Sequence, residues 1–307
     1  MTGDQGARRE GTRRVAIVGA SGFLGAGLAG HLRANGHTVV TVGRGANSDV
    51  RWDPARGVID AKGLAGVDAV VNLAGSTIGE RWTARRRVEL RESRVRGTRL
   101  LCEALAALQP QPAVLVSGSA IGIYGSRGDE WLDEQSALGD DFLSGIARDW
   151  EGATLPARDA GIRVVLSRTG IVLHPAGGAL KKLLLPFLLG AGGKLGNGRQ
   201  WMSWVSRTDW VSAIDHAMRT PTVDGPMNLV APEPVTNETF TETLGRILRR
   251  PTLVPVPAVA LRLVFGEMAD GTVLASQRVR PAVLEASGFR FAHPTLSSAL
   301  RAELGRP

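Results

Sequence analysis

The chain has 307 residues, room for two average domains or one elaborated one, and its 43% hydrophobic and 21% charged content excludes a disordered or collagen-like chain. A single cysteine, Cys102, excludes an internal disulfide framework or a thiolate zinc cluster and fits a reducing, cytoplasmic setting. The net charge of +8 leaves nucleic acid and small anions open as ligands. The basic residues are scattered, only Lys62, Lys181, Lys182 and Lys194 are lysine, and no aromatic RNA-binding signature interleaves them. A small-molecule substrate is therefore expected, and no nucleic acid.

Residues 1–13 are rich in Gly, Arg and polar side chains and read as a flexible tail, without the apolar stretch of a signal peptide. Val15-Ala16-Ile17-Val18 is a buried strand that ends in Gly19. Residues 23–35 carry apolar side chains at helical spacing and stop at Gly36. Strands follow at 38–42 and 68–73, then a helix over 94–108 with Leu100, Leu101, Ala104, Leu105 and Leu108 on one face. Residues 113–117 and 163–167 are further strands.

Strands alternating with helices imply parallel pairing through right-handed crossovers, hence an α/β doubly wound parallel sheet. From about residue 174 the chain becomes Gly- and Pro-rich and less periodic. The expected division is a dinucleotide-binding domain over 14–173 and a smaller substrate lobe over 174–307. A stretch near 205–230 is expected to return to the first domain. Leu183–Leu189 and Leu253–Phe265, the most apolar runs, are short or broken by Pro186, Pro255, Pro257 and Arg262, so no membrane span is expected.

Gly19-Ala20-Ser21-Gly22-Phe23-Leu24-Gly25 joins a strand to a helix. Gly19 permits a tight turn, Gly22 lets a diphosphate approach the backbone, and Gly25 lets the helix pack closely on the sheet. The second strand ends Thr41-Val42-Gly43-Arg44, with no acid to bond a ribose 2′-hydroxyl. Arg44 can instead pair with a 2′-phosphate, so NADP(H) is expected over NAD(H); an exposed loop arginine is the alternative.

The spacing Gly-x-x-Gly-x-x-Gly resembles the extended short-chain dehydrogenase/reductase superfamily. More closely, the chain resembles epimerase-like NAD(P)-binding proteins with a C-terminal domain of unknown function. Val71-Asn72-Leu73-Ala74-Gly75, Gly79-Glu80-Arg81-Trp82-Thr83 and Ser117-Gly118-Ser119-Ala120 carry the likeness, with Gly128-Asp129-Glu130 and Arg168-Thr169-Gly170-Ile171-Val172-Leu173. Gly198-Arg199-Gln200-Trp201-Met202-Ser203-Trp204, Ala231-Pro232-Glu233-Pro234-Val235-Thr236-Asn237 and Gly288-Phe289-Arg290-Phe291 complete it.

The resemblance implies a Rossmann-type fold and further cofactor contacts. Ser21, Phe23 and Leu24 belong to the phosphate turn. Asp53 matches an acid facing the adenine amino group, or it merely forms an Asp–Pro turn. Leu73, Ala74 and Gly75 match the segment beneath the adenosine ribose, and Ser117 ends the strand of the active-site serine. Arg94 occupies a slot where many relatives have Asn.

Most relatives use a Tyr-x-x-x-Lys pair, in which lysine lowers the tyrosine pKa. Here the only tyrosine, Tyr124, is followed four residues later by Gly128, and the segment 140–147 offers neither phenol nor ammonium. The usual pair is absent. Ser119 matches the serine that holds a substrate carbonyl, or it caps the following turn. Tyr124 faces the nicotinamide or packs between the lobes. Arg199 and Gln200 are expected as polar hooks on the rim of a substrate cleft, with Trp201 and Trp204 as its walls; core packing is the alternative for both tryptophans. His31, His37, His174, His216 and His293 are isolated, so no metal is expected.

The expected function is an atypical NADP(H)-dependent oxidoreductase or epimerase-like enzyme acting on a small polar or carbonyl substrate. The alternative is a non-catalytic NADP(H) sensor or scaffold. An oligomer is compatible with either.

Overall fold

A computed structural model describes residues 11–307. Its first half runs β1 (Arg14–Val18), α1 (Phe23–Ala34), β2 (Thr38–Gly43), β3 (Val50–Asp53), β4 (Val58–Ile59) and β5 (Ala69–Asn72). Next come α2 (Ala84–Ala106), β6 (Val114–Ala120), β7 (Trp131–Leu132), α3 (Phe142–Gly152), α4 (Leu155–Asp159) and β8 (Arg163–Thr169). The second half begins with β9 (Ile171–Leu173), α5 (Gly178–Leu188), β10 (Trp201–Met202), β11 (Trp204–Ser206), α6 (Arg207–Arg219) and β12 (Gly225–Leu229). It closes with β13 (Val235–Thr236), α7 (Asn237–Leu248), α8 (Ala258–Phe265), β14 (Arg278–Val279), α9 (Ala282–Ala286) and α10 (Leu296–Leu304).

The eight-stranded sheet has the order β12-β8-β6-β5-β1-β2-β3-β4, and every pairing in it is parallel except β3 with β4. The order reverses at β1, which lies between β2 and β5. In such sheets ligands bind outside the carboxyl ends of the strands at this reversal. Its central strands are apolar on both faces because helices cover both: Val15, Ile17 and Val71 pack with Leu28 and Leu32 of α1 and Trp210 and Ile214 of α6. Ala16, Val18 and Val70 pack with Leu101 and Leu105 of α2 on the other side.

The α1 stripe is Gly25, Leu28, Ala29 and Leu32, a helical period, and Gly36 ends the segment at φ +82°. Helix α6 starts at Ser206, whose hydroxyl accepts from the Asp209 N–H and donates to its carboxylate. Asp209 also accepts from the N–H groups of Ala292 and His293, so the cap fastens the C-terminal segment to the sheet layer. Chain past residue 205 thus supplies both a covering helix and the edge strand β12. A second core, with Trp204, Phe240, Leu244, Leu296 and Leu300, joins α5, α7 and α10.

Of the segment read as a tail, residues 1–10 lie outside those described. Arg13 departs from that reading: its N–H donates to His37 Nδ1 at 3.1 Å and its guanidinium to the Met218 carbonyl at 2.9 Å. Among the described residues no helix is long and apolar enough to cross a membrane.

Candidate functional site

At the carboxyl end of β1 the chain bends through Gly19 and Gly22 into α1. Gly19 has φ +83°, a region L side chains avoid, and a Cβ there would stand 3.3 Å from the Leu73 main chain. A Cβ on Gly25 would fall 2.2 Å from the Gly19 carbonyl oxygen, so only glycine lets the first turn of α1 seat against the bend. Gly22 differs. A Cβ there would meet only the Gly19 oxygen, at 3.3 Å, with open space beyond.

Helix α1 begins with no side-chain cap and no acid in its first turn. Its leading N–H groups are therefore available to an anion, with the positive end of the helix dipole behind them. These features border a cavity of about 860 Å³ lined by Gly19, Ser21, Gly22, Leu73, Ala74 and Gly75, and by Arg44 and Asp53 on the β2–β3 side. The bend and the bare helix start suit a diphosphate, and the cavity is large enough for a dinucleotide.

The β2 end of the cavity is cationic. Arg44 follows β2 directly, and Arg33, from the last turn of α1, lines the same wall with Asn47 and Ser48. Asp49, in this turn, is committed elsewhere: it accepts from the Thr41 N–H and hydroxyl, each at 2.7 Å, which holds its carboxyl below the usual range. Asp53 stands both on the cavity wall and in the Asp–Pro turn. It borders the cavity, and its carbonyl accepts from Arg56 N in a turn that also brings the Arg56 guanidinium within 3.7 Å of its carboxylate.

Three residues assigned to the cofactor contribute differently. The Phe23 ring is tilted against His174 and fills the space beside Gly177, where a Cβ would lie 2.3 Å from it. Leu24 packs on the sheet core. Neither side chain lines the cavity, which leaves their main-chain N–H groups as the contribution. Ser117 is fully buried within the sheet, paired with Asn72 and Leu166, and its hydroxyl has no partner. It does not line the cavity.

The catalytic assignments need larger corrections. Tyr124 is fully buried; its hydroxyl donates to Asn228 Oδ1 at 2.7 Å and accepts from Arg168 at 3.0 Å. Burial pushes its pKa up to about 12, against the opposing charge of Arg168. The phenol is thus committed to Asn228 and Arg168 away from the cavity lining, and its ring packs with Ile121, Ile123, Leu132 and Val279. Ser119 is 5% exposed and donates to Glu151 Oε1 at 2.6 Å. Glu151, near the end of α3, also accepts two bonds from Arg168 at 2.9 Å. Burial weakens the hold of Arg168 on its proton, but Glu151 more than restores it and keeps that pKa above the ordinary value. Ser119 therefore sits in a buried ion-pair network and not on the cavity wall.

The expected substrate rim is split. Arg199 and Gln200 border a second cavity of about 670 Å³ with Asp129, Asn197, Arg262 and Asp270. The Gln200 amide is occupied there by the carbonyls of Leu195 and Val273. Trp201 donates its indole N–H to Asp129 at 2.7 Å, and the Arg278 guanidinium lies 4.0 Å from its ring and 4.0 Å from that of Trp131. Trp204 is no wall: β11 buries it completely in the second core. Arg33 escaped the sequence reading, although Ala26, Ala29 and Arg33 share one helical stripe. No three His, Cys, Asp or Glu side chains cluster for a metal among the described residues.

A reversal of strand order beneath a glycine bend and an uncapped helix defines an NAD(P)-binding protein of the short-chain dehydrogenase/reductase fold. Residues 15–230 match the NAD dependent epimerase/dehydratase family, and residues 256–303 match a domain of unknown function, DUF1731. The chain belongs to that epimerase family. An epimerase family protein of Mycobacterium tuberculosis is 44% identical over 95% of this chain and 98% of its own. The crystal structure of human epimerase family protein SDR39U1 (isoform 2) with NADPH is similar at TM-score 0.88 and 34% identity, covering 95% of this chain and 99% of that one. A nucleoside-diphosphate sugar epimerase from Corynebacterium glutamicum is similar at TM-score 0.80 and 37% identity, over 96% of this chain and 58% of that one.

Proposed function

We propose that the chain binds NADP(H) in preference to NAD(H) and uses it in hydride exchange with a small polar or carbonyl substrate. The cationic β2 end of the cavity carries this reading: Arg33 and Arg44 border it, and the acid of that turn is already bound to Thr41. The NADPH bound by human SDR39U1 is in keeping with it. When bound, the nicotinamide supplies the hydride donor or acceptor.

The residues of this chain would then bind and orient, since the usual tyrosine and lysine are missing. Proton exchange then falls to water or to the substrate, because Ser119 and Glu151 bond to each other and to Arg168 and not to the cavity. Mixing the protein with NADPH and a panel of carbonyl compounds tests this by loss of the reduced-nicotinamide absorbance.

The second reading, an NADP(H) sensor in the cytoplasm or another compartment, is favoured by the burial of Tyr124. Tight NADPH binding by calorimetry, with no turnover on any substrate, would establish it over the enzyme.

A further inference from the structure

Apart from Lys181 and Lys182, helix α5 is apolar on every side. Leu180 and Phe187 are buried in the second core. Leu185 and Leu188, with Leu189 just past the helix end, are exposed, Leu189 to 74%. They form one stripe at helical spacing that the exposed Lys181 continues toward the start of the helix. A helix that is apolar all round belongs between two apolar surroundings, and only one is supplied by the core.

The chain leading into and through α8 repeats the pattern. Leu253 is 84% exposed, Val254 beside it is exposed, and so are Val259, Leu263 and Val264 of α8. The two stretches are joined: the Val256 N–H donates to the Lys194 carbonyl and the Gly196 N–H to the Val256 carbonyl, each at 2.8 Å. They share an anchor as well, since Lys182 donates to the Gly79 carbonyl at 2.9 Å and Arg81 to the Leu263 carbonyl at 3.3 Å. Exposed apolar side chains scattered singly are ordinary, but a group of this size on two joined stretches is a contact surface.

Charge identifies what it contacts. Residues 178–197 contain Lys181, Lys182 and Lys194, and residues 243–266 contain Arg246, Arg249, Arg250 and Arg262, with no acid in either stretch. Lys194 and Arg262 are matched from outside, by Glu238 at 2.7 Å and Asp270 at 2.9 Å. Lys181, Arg249 and Arg250 are exposed and have no carboxylate within 4.0 Å among the described residues. Two copies meeting face to face through this patch would set these like charges against each other. A leaflet of anionic lipid complements both features, with acyl chains for the leucines and valines and headgroup phosphates for the cations.

We propose that α5 and the stretch 251–264 form a docking surface for an anionic lipid bilayer, on which the protein rests without spanning it.

The purified full chain would be floated with phosphatidylcholine vesicles and with vesicles that are in part phosphatidylglycerol, at low and high salt, with the melting temperature as the check on folding. Wild type is expected to float with the anionic vesicles alone and to be released as salt screens the headgroups. A chain carrying Leu185→Ser, Leu189→Ser and Leu263→Ser is expected to bind them about tenfold more weakly while melting like wild type. A second chain, with Lys181→Gln, Arg249→Gln and Arg250→Gln, should lose as much and most of the salt dependence with it. Wild type that stays in solution beside anionic vesicles overturns the proposal, as do variants that float like wild type. If the leucine variant does not fold, the charge variant decides alone. Sedimentation without lipid covers the other occupant: a wild-type dimer that the leucine variant turns into monomers would give the patch to a second copy and overturn the proposal.

Discussion

Arg168 donates to the Tyr124 hydroxyl at 3.0 Å, joining a strand end to a turn 44 positions earlier in the chain. The same hydroxyl donates to Asn228, so the only phenol in the protein is saturated and buried. This geometry makes Tyr124 a fastener between segments.

Because the protein has one tyrosine, its tyrosinate absorption reads that residue alone. The native protein is expected to titrate near pH 12 and the unfolded chain near 10. The folded-state pKa is the higher, so the stabilisation is complete below pH 10 and is lost as pH rises toward 12, by roughly 2–3 kcal/mol. Native titration near 10 would contradict the burial.

The Glu151 network should respond asymmetrically. Glu151→Gln leaves Arg168 with an uncompensated buried charge and is expected to cost about 3–5 kcal/mol in denaturant unfolding. Ser119→Ala removes one hydrogen bond to an anion that keeps its arginine, and should cost about 1–2 kcal/mol. Equal losses would show that the serine, and not the ion pair, holds the network.

Coenzyme choice is expected to reside in Arg33 and Arg44. Each alanine substitution should weaken NADPH by about ten- to a hundredfold, the range of a charge-assisted hydrogen bond, while NADH binding stays nearly constant. Fluorescence titration with the two coenzymes measures this, and a parallel loss for both would refute the assignment.

The glycines of the bend should separate into two kinds. Gly25→Ala drives a Cβ into the Gly19 carbonyl and is expected to lower the melting temperature together with NADPH affinity. Gly22→Ala meets only the Gly19 carbonyl oxygen, at 3.3 Å, so the melting temperature should fall little while a methyl group intrudes where phosphate belongs. A roughly tenfold rise in Kd, about 1.4 kcal/mol, is expected. Unchanged affinity for Gly22→Ala would place the diphosphate elsewhere.

Strands β1, β2, β5, β6 and β8 were legible because each is a short apolar run next to a turn signal. Helix α2 extends further back than its apolar pattern: its first turns are arginine-rich and exposed, so the apolar period emerges only after Arg94, while the Thr83 cap marks the true start. The edge strand β12 was hidden by Gly225 and Pro226, which an edge tolerates where a central strand would not. In the site, the glycine bend and Arg44 were visible in local spacing. Arg33 was not, since an arginine late in a helix looks like any solvated one until the neighbouring wall is known.

Local sequence fixed the phosphate bend, the parallel alternation and the absence of the Tyr-x-x-x-Lys pair, because each depends on residues adjacent in the chain. Only the tertiary structure decided that Tyr124 and Ser119 turn inward to Arg168 and Glu151, and that Trp204 is core. Those outcomes depend on which distant groups share a desolvated space, and burial of charge and hydrogen-bonding groups is settled by contacts that sequence spacing does not encode.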